Sequence, residues 1–233
     1  MNAVHLNTVH LNIVHYDGRM DNSEDTGTRV IRHTREDVTR AALSVLDELG
    51  LPDLTMRRLG SVLNVQPSAL YWHFANKQTL LAAVSDSILD QMRITPATTD
   101  WRADLYSVAR ALRDALLAYR DGAEVVSSTL ALGLGGDRAE ASLIGAISHG
   151  GFDGRTSAAA ARAVLHFILG HVSREQQHLQ GSSLGAARES DRPLDDDDSA
   201  GGFEFGITLL AGGLEVYRST AARRAGDLAS PPA

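Results

Sequence analysis

From Thr34 onward, apolar residues recur at three- and four-residue spacings, and no stretch alternates apolar with polar. That period belongs to helices with one buried face, so the chain reads as all-α, with eight to ten helices. Thr34 followed by Asp37 marks a helix start, and Val38, Ala41, Ala42, Val45, Leu46 and Leu49 form its stripe before Gly50 ends it. Thr55 is an N-cap for a helix over 56–62, where Leu59 and Val62 share a face beside Leu63. Asn64 tolerates the left-handed turn that must follow, and Pro67 fits the first turn of a short next helix. Asn76 caps a fourth helix over 77–92, with Leu80, Leu81, Val84, Ile88 and Leu89 inward, until Thr95 and Pro96 break the pattern.

Beyond that break, Trp101 opens a helix carrying Leu105, Val108, Leu112, Ala115 and Leu116, expected to end near 120–122. A short helix or loop over 123–134 follows, then helices over 138–148 and 157–180. Residues 181–202 contain glycine, serine and the acidic run 195–198, and read as a solvated loop. The final helix is expected over 203–217. The organisation expected is therefore a disordered tail (1–28), a three-helix head with its linking helix (29–93), a larger helical body (94–220) and a frayed end (221–233).

Composition narrows the class. The 233 residues are 43% hydrophobic, enough for a packed core, and the formal charge is −7. A uniformly basic nucleic-acid binder is excluded, but the charge is uneven. Residues 29–93 carry eight basic and seven acidic side chains, whereas residues 94–233 carry thirteen and eighteen. The head is the least acidic part, consistent with a small set of phosphate contacts. The absence of cysteine removes disulfides, thiol catalysis and thiolate zinc sites. No apolar run approaches the roughly 20 residues of a membrane span, and the N-terminus lacks a signal-peptide pattern, so a cytoplasmic protein is expected.

Residues 1–28 differ from the rest. VHLNT, VHLNI and VHYDG repeat with a period of five from Val4, Val9 and Val14. The evenly spaced His5, His10 and His15 invite a metal reading, but a five-residue period keeps no helix face and no other ligand type joins them. A disordered tail is the favoured reading. A start at Met20, with the fifteen-base repeat being promoter or operator DNA, stands beside it. On either reading residues 1–19 are expected to add little to stability.

The stretch TMRRLGSVLNVQPSALYWHFANK, residues 55–77, carries the chemistry: two short helices, a tight turn, an aromatic patch and Lys77, the sole lysine. Ser68, Ala69, Tyr71 and His73 are small or polar groups of the kind that enter a major groove about 12 Å wide. The stretch resembles the DNA-binding domain of the tetracycline-repressor family of bacterial transcription regulators, including its YWHF-x-NK ending. The resemblance implies that Arg57 reads a base, since an arginine can bond both guanine acceptors. It implies that Pro67, Ser68 and Ala69 lie at the exposed start of the recognition helix, with Thr55 at the start of the helix before. Tyr71 and His73 match positions that hold phosphates and bases, and Lys77 with Asn76 would hold a phosphate at a helix start. Trp72 and Phe74 are expected in the core.

The resemblance extends into the body, through AYRDGAEVVSST (118–129), HFILGHVSREQQH (166–178) and FEFGITLLAGGLE (203–215), and so covers about residues 34–220. It implies a homodimer joined by a four-helix bundle of 157–180 and 203–217 from each subunit, with Gly206, Gly212 and Gly213 permitting close approach. It also implies an effector pocket of the type that takes a magnesium–tetracycline chelate. His166 and Thr129 match that pocket. Arg93, Val108 and Val126 replace two histidines and an asparagine, and Leu112 adds apolar wall. Arg174 stands where the family has an acidic residue that organises the metal's water shell, and a cation there repels Mg²⁺. The expectation is no metal and no cofactor, and a flat organic ligand with an acidic or phenolic group. His166 and His171 are candidate polar anchors, or histidines satisfied by their surroundings. A rival reading takes His166, Glu175 and His178 as acid–base or metal residues of an all-α enzyme. A second carboxylate–histidine pair and a nucleophile motif are both missing from it.

Overall fold

The computed structural model describes residues 33–95, 97–183 and 197–229. The expected tail 1–28, its histidines and most of the expected loop 181–202 lie outside the described residues. Nine α-helices and one 3-10 turn, and no strand, occur among those described.

α1 (Arg35–Leu49) starts as the sequence indicates. The Thr34 hydroxyl accepts the Asp37 N–H, and the Asp37 carboxylate accepts the Thr34 N–H. The Thr34 N–H and, next, the Thr34 hydroxyl both donate to the Asp37 carboxylate and hold its carboxyl below the usual range, the N–H being the largest cause. Val38, Ala42, Val45 and Leu46 are buried on one face, while Leu49 at the end is exposed. α2 (Met56–Val62) and α3 (Pro67–Leu70) follow, then α4 (Lys77–Leu89), capped reciprocally by Asn76 and Thr79. α4 buries Leu80, Leu81, Val84, Ile88 and Leu89 as expected, but its last residue is Leu89 rather than 92. It touches α1 on one side and α5, α6 and α7 on another.

α5 (Trp101–Leu117) runs through the body and packs on α4, α6, α7, α8 and α9. It ends three residues before the expected 120–122. Asp121 there takes a left-handed conformation (φ 55°), and Gly122 lies against the Leu116 carbonyl. The doubtful segment 123–134 is helical: α6 spans Gly122–Ala131. α7 (Asp137–Ser148) leads to α8 (Gly154–Ser183). α8 starts earlier than expected because the Asp153 carboxylate accepts the N–H groups of Arg155 and Thr156. α9 (Asp197–Ala229) is longer than expected at both ends. Residues 197–202, expected as loop, are its first turns, and the end expected to fray from Ala221 is helical to Ala229. Acidic side chains at a helix N-terminus are favoured by its dipole, so the acidic run fits a helix start as well as a loop.

One continuous core links these elements, from Val38 through Val84 and Leu112 to Ile207 and Ala211. Of the three glycines expected to allow close approach, Gly206 does so, since the Phe167 ring occupies the place of a Cβ. Gly212 and Gly213 face open space in the subunit. At Gly122 a Cβ would overlap the Leu116 carbonyl oxygen, which is backbone and cannot rotate away, whereas Gly145 on α7 has open space around it. Gly122→Ala is therefore expected to cost about 1–3 kcal/mol. Gly145→Ala should stabilise by up to about 1 kcal/mol. Urea unfolding of the two variants should move in opposite directions, and a matching shift in both would refute the steric account.

Candidate nucleic-acid interface and effector region

α2 carries two adjacent arginines with different surroundings. Arg58 is bonded to the Asp53 carboxylate at 2.8 Å. Arg57 is exposed, and among the described residues no carboxylate lies within ion-pair distance. Thr55 caps the helix by accepting the Arg58 N–H at 3.1 Å. Asn64 adopts the expected left-handed turn (φ 52°), and the Val65 N–H reaches back to the Gly60 carbonyl at 2.8 Å. Gly60 escaped the reading of the sequence. A Cβ there would lie 2.8 Å from the Val65 oxygen and 3.3 Å from Pro67, so glycine lets the turn and α3 close onto α2. The signal was a glycine in a helix interior four residues before the turn, where propensity alone disfavours it.

α3 is one turn long, and the chain continues in turns through His73. Leu70 and Phe74 are four apart, share a face and are each 1% exposed. Arg35 stacks its guanidinium 4.2 Å from the Phe74 ring centre and donates to the His73 carbonyl, fixing this end. His33 bonds the Leu63 carbonyl across the turn. Trp72 corrects an expectation: it is 91% exposed, not core. With Leu70 and Phe74 inward, Tyr71 (51% exposed) and Trp72 point out together. Ser68 is exposed, and Pro67, Ala69 and His73 are half-buried. Lys77, half-buried, is the first residue of α4 and has no carboxylate partner among the described residues.

In the body, the seven residues expected around an effector do not line one cavity. Val108, Leu112, Val126 and Thr129 are buried in the core of α5 and α6, and the Thr129 hydroxyl is satisfied by the Val126 carbonyl. Arg93 is exposed just beyond α4, while His166 and Arg174 are exposed on α8. An α8 whose inner face is filled by Ala161, Val164, Leu165, Ile168 and Val172 turns positions 166 and 174 outward. His171 is half-buried between the Phe167 and Phe203 rings. The acid–base set of the rival reading is not assembled: Glu175 is committed to Arg113 at 2.6 Å, and His178 is exposed.

Two polar residues missed in the sequence tie the elements together. The buried Gln176 side chain donates to the Leu116 and Tyr119 carbonyls and accepts the Ala123 N–H, clamping the α5–α6 turn. Asp121 in that turn accepts the Leu51 N–H at 2.8 Å, seventy residues back, and a bond from Gln180 at 2.6 Å. Gly50 beside it leaves room, since a Cβ would lie 2.8 Å from the Asp121 carboxylate.

Two family models match: "Bacterial regulatory proteins, tetR family" over residues 38–84, and "Tetracyclin repressor-like, C-terminal domain" over residues 95–193. The class A tetracycline repressor of transposon 1721 from Escherichia coli is 35% identical, over 82% of this chain and 96% of its own length. The chain belongs to the tetracycline-repressor family. Solved structures are similar over most of the chain. Mycobacterium smegmatis BioQ is 42% identical with a TM-score of 0.70, covering 78% of this chain and 98% of its own. A structure of BioQ with its double-stranded DNA operator is 40% identical with a TM-score of 0.66, over 78% and 98% of the two chains. Membership in the family agrees with the helix-turn-helix of α2 and α3 and with the helical body.

The Asp121 contact is testable. Asn also tolerates positive φ, but its amide keeps a single acceptor oxygen in place of two. Asp121→Asn is expected to accelerate amide hydrogen exchange at Leu51 by about tenfold or more, the scale of a lost bond to a charged group. Unchanged protection at Leu51 would show that the bond holds nothing.

Proposed function

We propose that this chain is a ligand-responsive transcriptional repressor that grips a palindromic operator as a homodimer and releases it when a small organic ligand binds. The observation that carries the reading is the contrast on α2: Arg58 is neutralised by Asp53, and Arg57 is left free for another partner. The operator-bound relative supports DNA as that partner. Residues 29–93 form the DNA-binding head. In it Thr55, Arg57, Pro67, Ser68, Ala69, Tyr71, His73 and Lys77 meet the groove and its phosphates, and the exposed Trp72 joins them. Residues 94–220 form the body. α9 exposes Phe205, Leu209, Val216 and Tyr217, and an apolar groove runs between α8 and α9 along Ala159, Ala163, Leu210 and Gly213. Apolar surface of this extent marks an interface, here with a second copy. Two heads then enter successive major grooves about one helical turn apart. The ligand acts through its preference for a head spacing that does not fit. Of the seven residues that the resemblance offers for it, Arg93, His166 and Arg174 are the exposed ones, and Val108, Leu112, Val126 and Thr129 form the packed layer through which its binding would be felt. The work is done in the cytoplasm, without catalysis, metal or cofactor.

A gel shift with DNA from upstream of the chain's own gene tests the reading, a specific and salt-sensitive shift being expected. Arg57→Ala should weaken operator binding by roughly 1–3 kcal/mol and relax one base preference. Lys77→Ala should weaken all sequences alike and flatten the salt dependence. An unchanged affinity and salt slope would remove Lys77 from the phosphate contacts. Because Arg174 is a cation, operator release by the ligand is expected to persist in excess chelator, and loss of the response there would restore a metal to the mechanism.

A further inference from the structure

A cleft of about 680 Å³ lies between residues 91–95, which follow α4, and the outer face of α5. Its size falls within the range of roughly 300–1,000 Å³ of small-molecule sites. Small side chains open it: Ala111 and Ala115 are buried at its floor, and Ala103 and Ala118 line its exposed rim. The Thr95 and Ser107 hydroxyls, 2.6 Å apart, close one side by tying the linker to α5.

The charges on its wall are unequal. Arg110 is held by Glu204 at 2.6 Å, and Asp114 follows one turn later. Arg102, Arg113, Arg138 and Arg162 are likewise paired with carboxylates. Arg93 also lines the cleft, is exposed, and has no carboxylate partner among the described residues. One uncompensated guanidinium over an alanine floor is the complement of a monoanion with an apolar body. A dianion would meet Asp114 and Glu204 with no second free cation.

The geometry points to this cleft as a binding site for an amphipathic organic monoanion, its charged group on Arg93 and its apolar body on Ala111 and Ala115. None of Tyr106, Ser107 or Arg110 was expected there from the sequence, and the core positions Val108 and Leu112 lie on the other face of the same helix, already packed. The place matters because Arg93 sits in the linker between α4 and α5, and α4 contacts α1 of the head. An anion that joins Arg93 to α5 fixes the exit of α4. Its role as an effector rests on the regulator reading, whereas the binding itself does not.

The test uses the full chain and two probes that share an apolar body: 1-anilinonaphthalene-8-sulfonate, a monoanion, and its uncharged parent N-phenyl-1-naphthylamine. Titrations followed by fluorescence and calorimetry compare wild type with Arg93→Ala and with Ala103→Phe, an exposed position whose larger side chain fills the cleft. Arg93→Ala should weaken the sulfonate by about tenfold or more, the scale of a lost charge-assisted bond, and leave the neutral probe unchanged. Ala103→Phe should weaken both. Sulfonate affinity equal to wild type in both variants, or an equal loss of both probes in Arg93→Ala, would overturn the proposal. An operator gel shift on the same samples separates the two readings. Without a shift the regulator reading falls, while an Arg93-dependent affinity for the sulfonate still establishes the site.

Discussion

Everything in this molecule depends on α4 having to satisfy two sets of neighbours with one short helix. Leu80, Leu81, Val84, Ile88 and Leu89 are buried, and the helix touches α1 on one side and α5, α6 and α7 on another. Thirteen residues are marginal as an isolated helix. α4 therefore exists because both sides bury it, and neither side can shift without changing what α4 packs against. Polar contacts add direction to that shared core. The Asp86 carboxylate accepts the Gly136 N–H at 3.2 Å, and Asp90 pairs with Arg138 at 2.7 Å, so the start of α7 is fastened to α4 one turn apart.

The head was legible because its determinants are local. N-caps at Thr34, Thr55 and Asn76, the left-handed Asn64 and the helix-starting Pro67 each act within four residues, and each is found in place. Trp72 was misplaced because an aromatic residue counts as core by type, while its exposure is decided by Leu70 and Phe74 on either side. In the body the pattern gave the helices but not their partners. Gln176 and Asp121 act across gaps of more than fifty residues, and no spacing announces such bonds. The start of α9 was missed because an acidic run suits a solvated loop and a helix N-terminus alike. The effector residues assigned by resemblance divide between a packed core and exposed surface, since position in a motif does not report whether space exists beside it.

Electrostatics separates the two ends of the chain more finely than net charge. The arginines of α5 and α7 are mostly spent on carboxylates within the subunit. Such pairs at the surface add little stability each, but they remove cations from competition for an anion. Arg57 and Lys77 in the head and Arg93 at the linker stay without a carboxylate partner among the described residues, as do others such as Arg120, Arg155 and Arg174, despite a chain charge of −7.

The brevity of α3 has a consequence for how such a protein can change. Ser68 and Tyr71 bury little, while the shape of the segment is set by Gly60, Leu70 and Phe74. Letters and grammar are thus kept on different residues. Exposed positions with no structural partner usually tolerate substitution within about 0.5 kcal/mol. On the DNA contacts proposed above, a lineage could rewrite the sequence its repressor recognises by drifting through Ser68 and Tyr71, at almost no risk to folding, as long as the three residues beneath them stay fixed.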